Sequence, residues 1–336
     1  GAGAITLGST LNGAYSLAVN TAGVTTLGGA VGSTTALTSL TTDAAGTLAL
    51  NGGSITTTGA QSYGDAATLG ANTTLGSTGS GAITLGDTLN GAYSLAVNTA
   101  GVTTLGGAVG GTTALTSLTT DAPGTLAING GSVTTTGAQS FGDAATLGAN
   151  TTLTSTGAGA ITLGSTLNGA YSLAVYTAGL TTLGGAVGNT TALTSLTTDA
   201  AGTLALNGGS VTTTGAQSYG EMATLGANTT LQGVNVAFAS SVDGASAGAY
   251  SLTINDSGTT VFGGSVGALQ ALTHLTTDTA GETQLKGAQV ITTGAAVFND
   301  IVKVFNDVQL QTGGDLSFMQ TLNGDTANTR SVQLDA

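Results

Sequence analysis

"NGAYSLAVNTAGVTTLGGAVG" fills residues 12–32, and the same twenty-one letters return at 90–110. A third copy at 168–188 differs only at Tyr176 and Leu180, and a looser one, "AGAYSLTINDSGTTVFGGSVG", runs from Ala247 to Gly267. Tyr15, Tyr93 and Tyr171 stand at a constant spacing, and Tyr250 follows one position beyond where that spacing would put it. The chain is an array. So long a period means either one small domain per copy or several turns of a solenoid.

A shorter period decides between them. In "YSLAVN", Tyr15, Leu17 and Val19 share one face and Ser16, Ala18 and Asn20 the other, the alternation of a strand. Helix is disfavoured because Val, Ile and Thr dominate and Gly interrupts the apolar runs at short intervals. Cutting at the Gly or Asn that closes each turn divides 24–101 into "VTTLGGAVGSTTALTSLTTDAAG", "TLALNGGSITTTGAQSYGDAATLGAN" and "TTLGSTGSGAITLGDTLNGAYSLAVNTAG", three lines of similar length. The same rule gives twelve full lines after a partial first one. A line of that size, with about three short strands, suits one coil of a parallel β-helix.

The sequence therefore predicts an all-β parallel β-helix, a β-solenoid of about thirteen coils, each of about 23–30 residues, with three coils per 78-residue repeat. Stacked at ~4.8 Å, the coils would extend roughly 60 Å. Residues 1–336 are expected to form a single solenoid: a partial first coil at 1–23, three-coil repeats at 24–101, 102–179 and 180–258, and a divergent last repeat at 259–336. Inward positions exchange like for like, as in Leu50 and Ile128, Ile55 and Val133, Tyr63 and Phe141. "VFNDIVKVFNDV" at 297–308 has helical spacing when taken alone, but Phe298, Asp300, Val304 and Leu310 align with Tyr63, Asp65, Leu69 and Leu75, which predicts strands. Gly and Asn mark the corners, where positive φ is often needed.

Composition narrows the function. Apolar residues make up 40% and recur regularly, which argues against disorder despite 57 glycines. Cysteine is absent, so disulfides contribute nothing. No signal peptide is visible at "GAGAITLGST" and no run of eighteen apolar residues occurs, so membrane insertion is not expected. Because the first line starts partway through a coil, the chain is expected to be a piece of a longer polypeptide, continued by further coils or by head-to-tail copies. Net charge is −13, and the three basic residues, Lys286, Lys303 and Arg330, all follow residue 285. Such a surface repels phosphate, which excludes nucleic acid as a partner.

"VDGASAGAYSLTINDSGTTVFGGSVG" and "TALTSLTTDAAGTLALNGGSITTTGAQSYGDAATLGANTTL" resemble the repeats of filamentous-haemagglutinin-like bacterial exoproteins, large adhesins exported by two-partner or autotransporter routes. The resemblance covers the whole chain and implies a right-handed β-helix stalk, secreted to the outer surface of a Gram-negative-type cell. Adhesion partners would be host or neighbouring-cell glycans or proteins.

No catalytic, cofactor-binding or metal-binding residue is expected. Asp43, Asp121, Asp199 and Asp278 recur once per repeat, which at three coils per repeat would separate them by about 14 Å, too far to share a proton or an ion. His274 stands alone and reads as an exposed or turn histidine. "TGGD" at 312–315 and "NGD" at 323–325 read as turns, since calcium needs six to eight oxygens. Asn20 with Asp43, and Asn98 with Asp121, are expected to stack in adjacent coils as an Asx ladder. Thr25-Thr26, Thr73-Thr74 and Thr103-Thr104 invite comparison with ice-binding threonine ranks, but Ala49 and Leu48 interrupt them. Asn72, Asn150, Asn189, Asn228 and Asn255 begin N-x-S/T sequons and are the candidate glycosylation acceptors. The alternative to a stalk is a carbohydrate-binding or polysaccharide-degrading β-helix with its site in the C-terminal coils, where Asp300 and Asp307 accompany the basic residues.

Overall fold

The structure, a computed structural model, describes residues 1–326 and 329–336. The chain is an all-β parallel β-solenoid of about sixteen turns, without helix among the described residues, and with a period of 21 residues. It divides into two compact units, 1–165 and 166–336.

In the first unit three parallel ladders follow the chain around. One joins Ile5–Leu7, Val24–Leu27, Thr47–Leu50, Ala66–Leu69 and Leu89–Asn90, then passes through Val109 to Ser132–Thr135 and Thr151–Ser155. A second joins Ser16–Val19, Ser39–Thr42, Gln61–Tyr63, Ile83–Leu85, Val102–Leu105, Thr125–Ile128 and Ala144–Leu147. The third begins at Leu11 and Val31 and continues through Ser54–Thr57, Thr73–Ser77, Ser94–Thr99, Ser117–Thr120, Gln139–Phe141 and Ile161–Leu163. Corners set the length of each turn: Ile5 pairs with Thr25, Thr25 with Leu48 and Leu48 with Ala67, so the second step is longer than those on either side of it.

The turn is thus shorter than the lines cut from the sequence, and about sixteen turns replace about thirteen. Short sides explain the difference. Leu11, Val31 and Val109 reach their neighbours by isolated bridges, and Leu89–Asn90 is a strand of one dipeptide. Cutting at glycines merges such sides with the strands beside them. From Val24 to Thr99 the chain forms ten strands and the bridged Val31, eleven sides in all. Three sides close a turn, so a 78-residue copy spans three and two-thirds turns rather than three. Equivalent strands therefore change sheet from copy to copy: Val24–Leu27 lies in the first ladder and Val102–Leu105 in the second.

The second unit follows the same plan. Ser172–Thr177, Ser195–Thr198, Gln217–Tyr219, Val236–Phe238, Thr259–Phe262, Glu282–Leu285, Ile301–Val304 and Leu322–Gly324 form one ladder. Leu180–Leu183, Thr203–Leu206, Met222–Leu225 and Val242–Gly244 belong to another, so Leu180–Leu183 and its equivalent Thr259–Phe262 again lie in different sheets.

Alternation places Leu, Ile and Val inside. Leu50, Ile55, Tyr63, Ile128, Val133 and Phe141 are all buried, so the like-for-like exchanges are core exchanges. In the second unit Tyr219 stacks on Phe238 at 4.9 Å between ring centroids and Phe238 on Phe262 at 5.9 Å. Residues 297–308 form strand within Ala296–Phe298, Ile301–Val304 and Val308–Thr312, joined by corners at 299–300 and 305–307, as the alignment required. Phe298, Asp300, Val304 and Leu310 point inward. The repeated tyrosine departs from the alternation. Tyr93 is 40% exposed and Tyr171 39%, because each precedes its strand, which starts at Ser94 or Ser172, and stands at a corner.

Candidate functional site

Side chains that carry chemistry fall into two populations, corner residues that tie one turn to the next and polar groups sealed inside. Asp43, Asp121 and Asp199 belong to the first. Each is half-buried and accepts, through Oδ1, the main-chain N–H of Thr21, Thr99 or Thr177 one turn away, at 3.1, 2.9 and 3.3 Å. Their neighbours Ala18 and Val19 pair with Thr41 and Thr42, so Asn20 and Asp43 occupy matching corners as expected, and the carboxylate caps a peptide group. These acids do not line one face. Asp43 follows Ser39–Thr42 in the second ladder and Asp121 follows Ser117–Thr120 in the third, which corrects the expected separation by three coils.

A second corner set escaped the sequence reading. Asn12, Asn90 and Asn168 accept through Oδ1 from the N–H groups of Thr34, Thr112 and Thr190, at 2.9, 2.9 and 3.0 Å. In the last copy Asp243 takes this role toward Leu269 at 2.8 Å and Gln270 at 3.2 Å. The signal was present: Asn occupies this place in the first three copies and Asp in the fourth.

Inside lies a glutamine brace. Gln61 is fully buried, and its Nε2 donates to the carbonyls of Ile55 and Gly76 at 3.3 and 2.8 Å and to Thr57 Oγ1 at 3.2 Å. Tyr63 Oη donates to Gln61 Oε1 at 2.8 Å, and Tyr219 repeats this bond to Gln217 at 2.8 Å. Burial pushes both phenols upward in pKa, so they remain donors. In the second copy Phe141 has no hydroxyl, and Gln139 Oε1 is left without a partner. Four residues after the brace glutamines, Asp65, Asp143 and Glu221 are each buried, as is Asp300 in the last copy, where Ala296 replaces the glutamine, and burial raises the pKa of Asp143, Glu221 and Asp300.

The five sequon asparagines, Asn72, Asn150, Asn189, Asn228 and Asn255, are all exposed. Asn72 and Asn228 use Oδ1 to accept from Ser94 and Ser251, each at 3.0 Å. A glycan would attach at the amide nitrogen instead. His274 is exposed. Of the C-terminal acids, Asp300 is buried and accepts from Thr277 and Thr283, each at 2.7 Å, whereas Asp307 is exposed and accepts from the Ser331 N–H at 2.8 Å. Lys303 pairs with Glu282 at 2.6 Å. Arg330 grips Asp325 through Nε at 2.7 Å and Nη2 at 2.9 Å. Lys286 lies 5.0 Å from the centre of the Phe305 ring. Among the described residues no group of three or more His, Asp or Glu could hold a metal ion.

Each threonine pair is split between the interior and the outer face of its strand. Thr25, Thr73 and Thr103 point inward and are buried, so Leu48, the neighbour of Thr25, is an interior residue and does not interrupt a surface rank. Outside, Ala18, Thr41, Ser62, Thr84, Thr104, Ala127 and Thr146 form one rank in the first unit, hydroxyl-bearing except at Ala18 and Ala127. Comparison with protein-family profiles, characterised proteins and solved structures gives no match.

Proposed function

We propose that this chain is a non-catalytic structural segment, a stalk or fibre, of a secreted bacterial surface adhesin or extracellular filament, similar to the filamentous-haemagglutinin-like exoproteins. One observation carries the reading. Successive copies repeat their sequence but turn it onto different sheets, so repetition builds no shared site on one face. What every copy keeps in place is the interior, and each turn is stabilised by its neighbours alone. Repetition of that kind serves the stack.

The C-terminal alternative is weaker on the geometry. Asp300 is enclosed and held by two threonines, while Asp307 faces solvent and caps the Ser331 N–H, so the two acids do not share an open cleft. The test is a reducing-sugar assay across a glycan panel, paired with prolonged protease challenge of the native chain. A stalk gives no turnover and resists cleavage. Glycan turnover abolished by Asp300→Asn or Asp307→Asn would overturn the proposal.

A further inference from the structure

One interior corner of the repeat holds more polar atoms than the protein itself satisfies. In the first copy Asp65 is 2% exposed; its Oδ1 accepts from the Gly46 N–H at 2.8 Å, and its Oδ2 finds no partner among the protein's groups. The buried hydroxyls of Thr25 and Thr42 are likewise without partners. The second copy repeats this with Asp143, Thr103 and Thr120, where Gly124 N–H lies 2.8 Å from Asp143 Oδ1.

These atoms belong to three consecutive turns at one corner. Thr25 pairs with Leu48 and Leu48 with Ala67, while Thr42 pairs with Tyr63, just before Asp65. The middle turn contributes a glycine. A Cβ on Gly46 would stand 3.1 Å from Asp65 Oδ1 and 2.6 Å from the Thr21 carbonyl, and one on Gly124 would stand 2.7 Å from Asp143 Oδ1 and 2.5 Å from the Thr99 carbonyl.

The last copy relieves the same corner with protein atoms, and the third does so only in part. Glu221 is one methylene longer than aspartate, and its Oε2 is reached by Thr198 Oγ1, while its Oε1 and the Thr181 hydroxyl have no protein partner. In the last copy a threonine, Thr283, replaces the leucine found at 48, 126 and 204, and donates to Asp300 Oδ2 at 2.7 Å while Thr277 donates to Oδ1 at 2.7 Å. There Asp256 also replaces the threonine found at 21, 99 and 177 and receives Thr260 Oγ1 at 3.1 Å.

We infer that the first two copies each bind one buried water molecule, held by the free carboxylate oxygen of Asp65 or Asp143 and by the paired threonine hydroxyls. Three buried, unpartnered polar groups at one corner match the number of bonds that a buried water typically makes. Water donates to the carboxylate and to one hydroxyl and accepts from the other, so no orphan remains. The leucine-to-threonine change at Thr283 supplies from the chain the donor that water supplies in the earlier copies. Burial raises the Asp143 carboxyl, while the nearby Thr120 hydroxyl and the Gly124 N–H pull it the other way, and no Lys or Arg precedes residue 286.

The test is a crystal structure of this chain, at a resolution that orders internal solvent, with a second structure of Leu48→Thr. The expected result is one peak about 2.7–3.2 Å from Asp65 Oδ2 and both threonine hydroxyls, a second at Asp143, and none between Asp300 and its threonines. In Leu48→Thr the first peak is lost and the second stays. Three results overturn the inference: no peak with direct Thr42–Asp65 and Thr120–Asp143 bonds, a peak with contacts of about 2.4 Å that marks a metal ion, or a peak at Asp300 like the other two. Should Leu48→Thr fail to fold, the contrast between copies within the unaltered chain decides alone.

Discussion

Phe141→Tyr should stabilise this protein, although it adds a polar atom to a fully buried place. Phe141, Tyr63 and Tyr219 are equivalent, and all three are 0% exposed. In the first and third copies the phenol donates to the glutamine on the same strand at 2.8 Å. In the second copy the remaining bonds of the glutamine are intact, with Nε2 donating to Val133 O at 3.2 Å, Thr135 Oγ1 at 3.2 Å and Thr154 O at 2.9 Å, yet Oε1 is unpaired. A buried acceptor without a donor costs about 1–3 kcal/mol. The new hydroxyl satisfies that oxygen and is itself satisfied, so a gain of about 1 kcal/mol is expected after its own desolvation. A stack of nearest-neighbour turns need not unfold in one step, so a local readout is preferable to a single melting curve. Native hydrogen exchange of the Gln139 and Gly142 amides, which are bonded to Ala160 O and Thr120 O, should slow about fivefold. Tyr63→Phe should accelerate the equivalent amides by a similar factor or more. Unchanged or faster exchange in Phe141→Tyr, together with a neutral Tyr63→Phe, would refute the reasoning.

Acidity should act opposite to ordinary acid denaturation. Burial raises the carboxyls of Asp143, Glu221, Asp278 and Asp300 in the folded state, so the native chain holds more protons than the unfolded one. Their stabilising contribution is full below the ordinary carboxylate range and is lost as pH climbs from that range through the raised folded values. Glu282, Asp307 and Asp325 are shifted downward and oppose this, but they sit at the surface, where solvent screens the effect. Urea midpoints should therefore be higher at pH 5 than at pH 8, and the reverse order would contradict the account. Gly110→Ala should destabilise by about 2 kcal/mol or more in the same titration, because φ is +70° there and the added Cβ would fall 2.1 Å from the Thr134 carbonyl. Lys303→Gln, which removes the ion pair with Glu282 at a partly exposed site, should cost less than about 1 kcal/mol.

How far the sequence could be read depends on which positions repetition exposes. Alternation in "YSLAVN" and "TLAL" identified strands and their inward leucines and valines correctly, because Leu and Val repeat where the interior demands them. The number of turns was hidden, since Val31 and Val109 make sides with no more than isolated bridges and a 78-residue copy is not a whole number of turns. The inward threonines were also hidden. Thr25 and Thr26 look identical in sequence, but the strand sends one inside and the other out. Asp65 and Gln61 are ordinary letters in "GAQSYGD", and their meaning depends on contacts with neighbouring turns that no single line displays. The tyrosine of "YSLAVN" was misplaced for a related reason, as strand alternation stops where the corner begins.

The claim that a copy spans eleven sides, and so turns onto a new sheet, can be tested with two spin-label pairs, which the absence of native cysteine makes straightforward. Thr41 connects to Thr104 through Ser62 and Thr84 by three ladder steps, so labels in Thr41→Cys/Thr104→Cys should show the dipolar broadening of backbones about 14 Å apart. Thr26 and Thr104 are equivalent in sequence but lie in different ladders, and Thr26→Cys/Thr104→Cys should lack that short distance. Finding the short distance in the second pair and a longer separation in the first would restore three turns per copy and contradict the account.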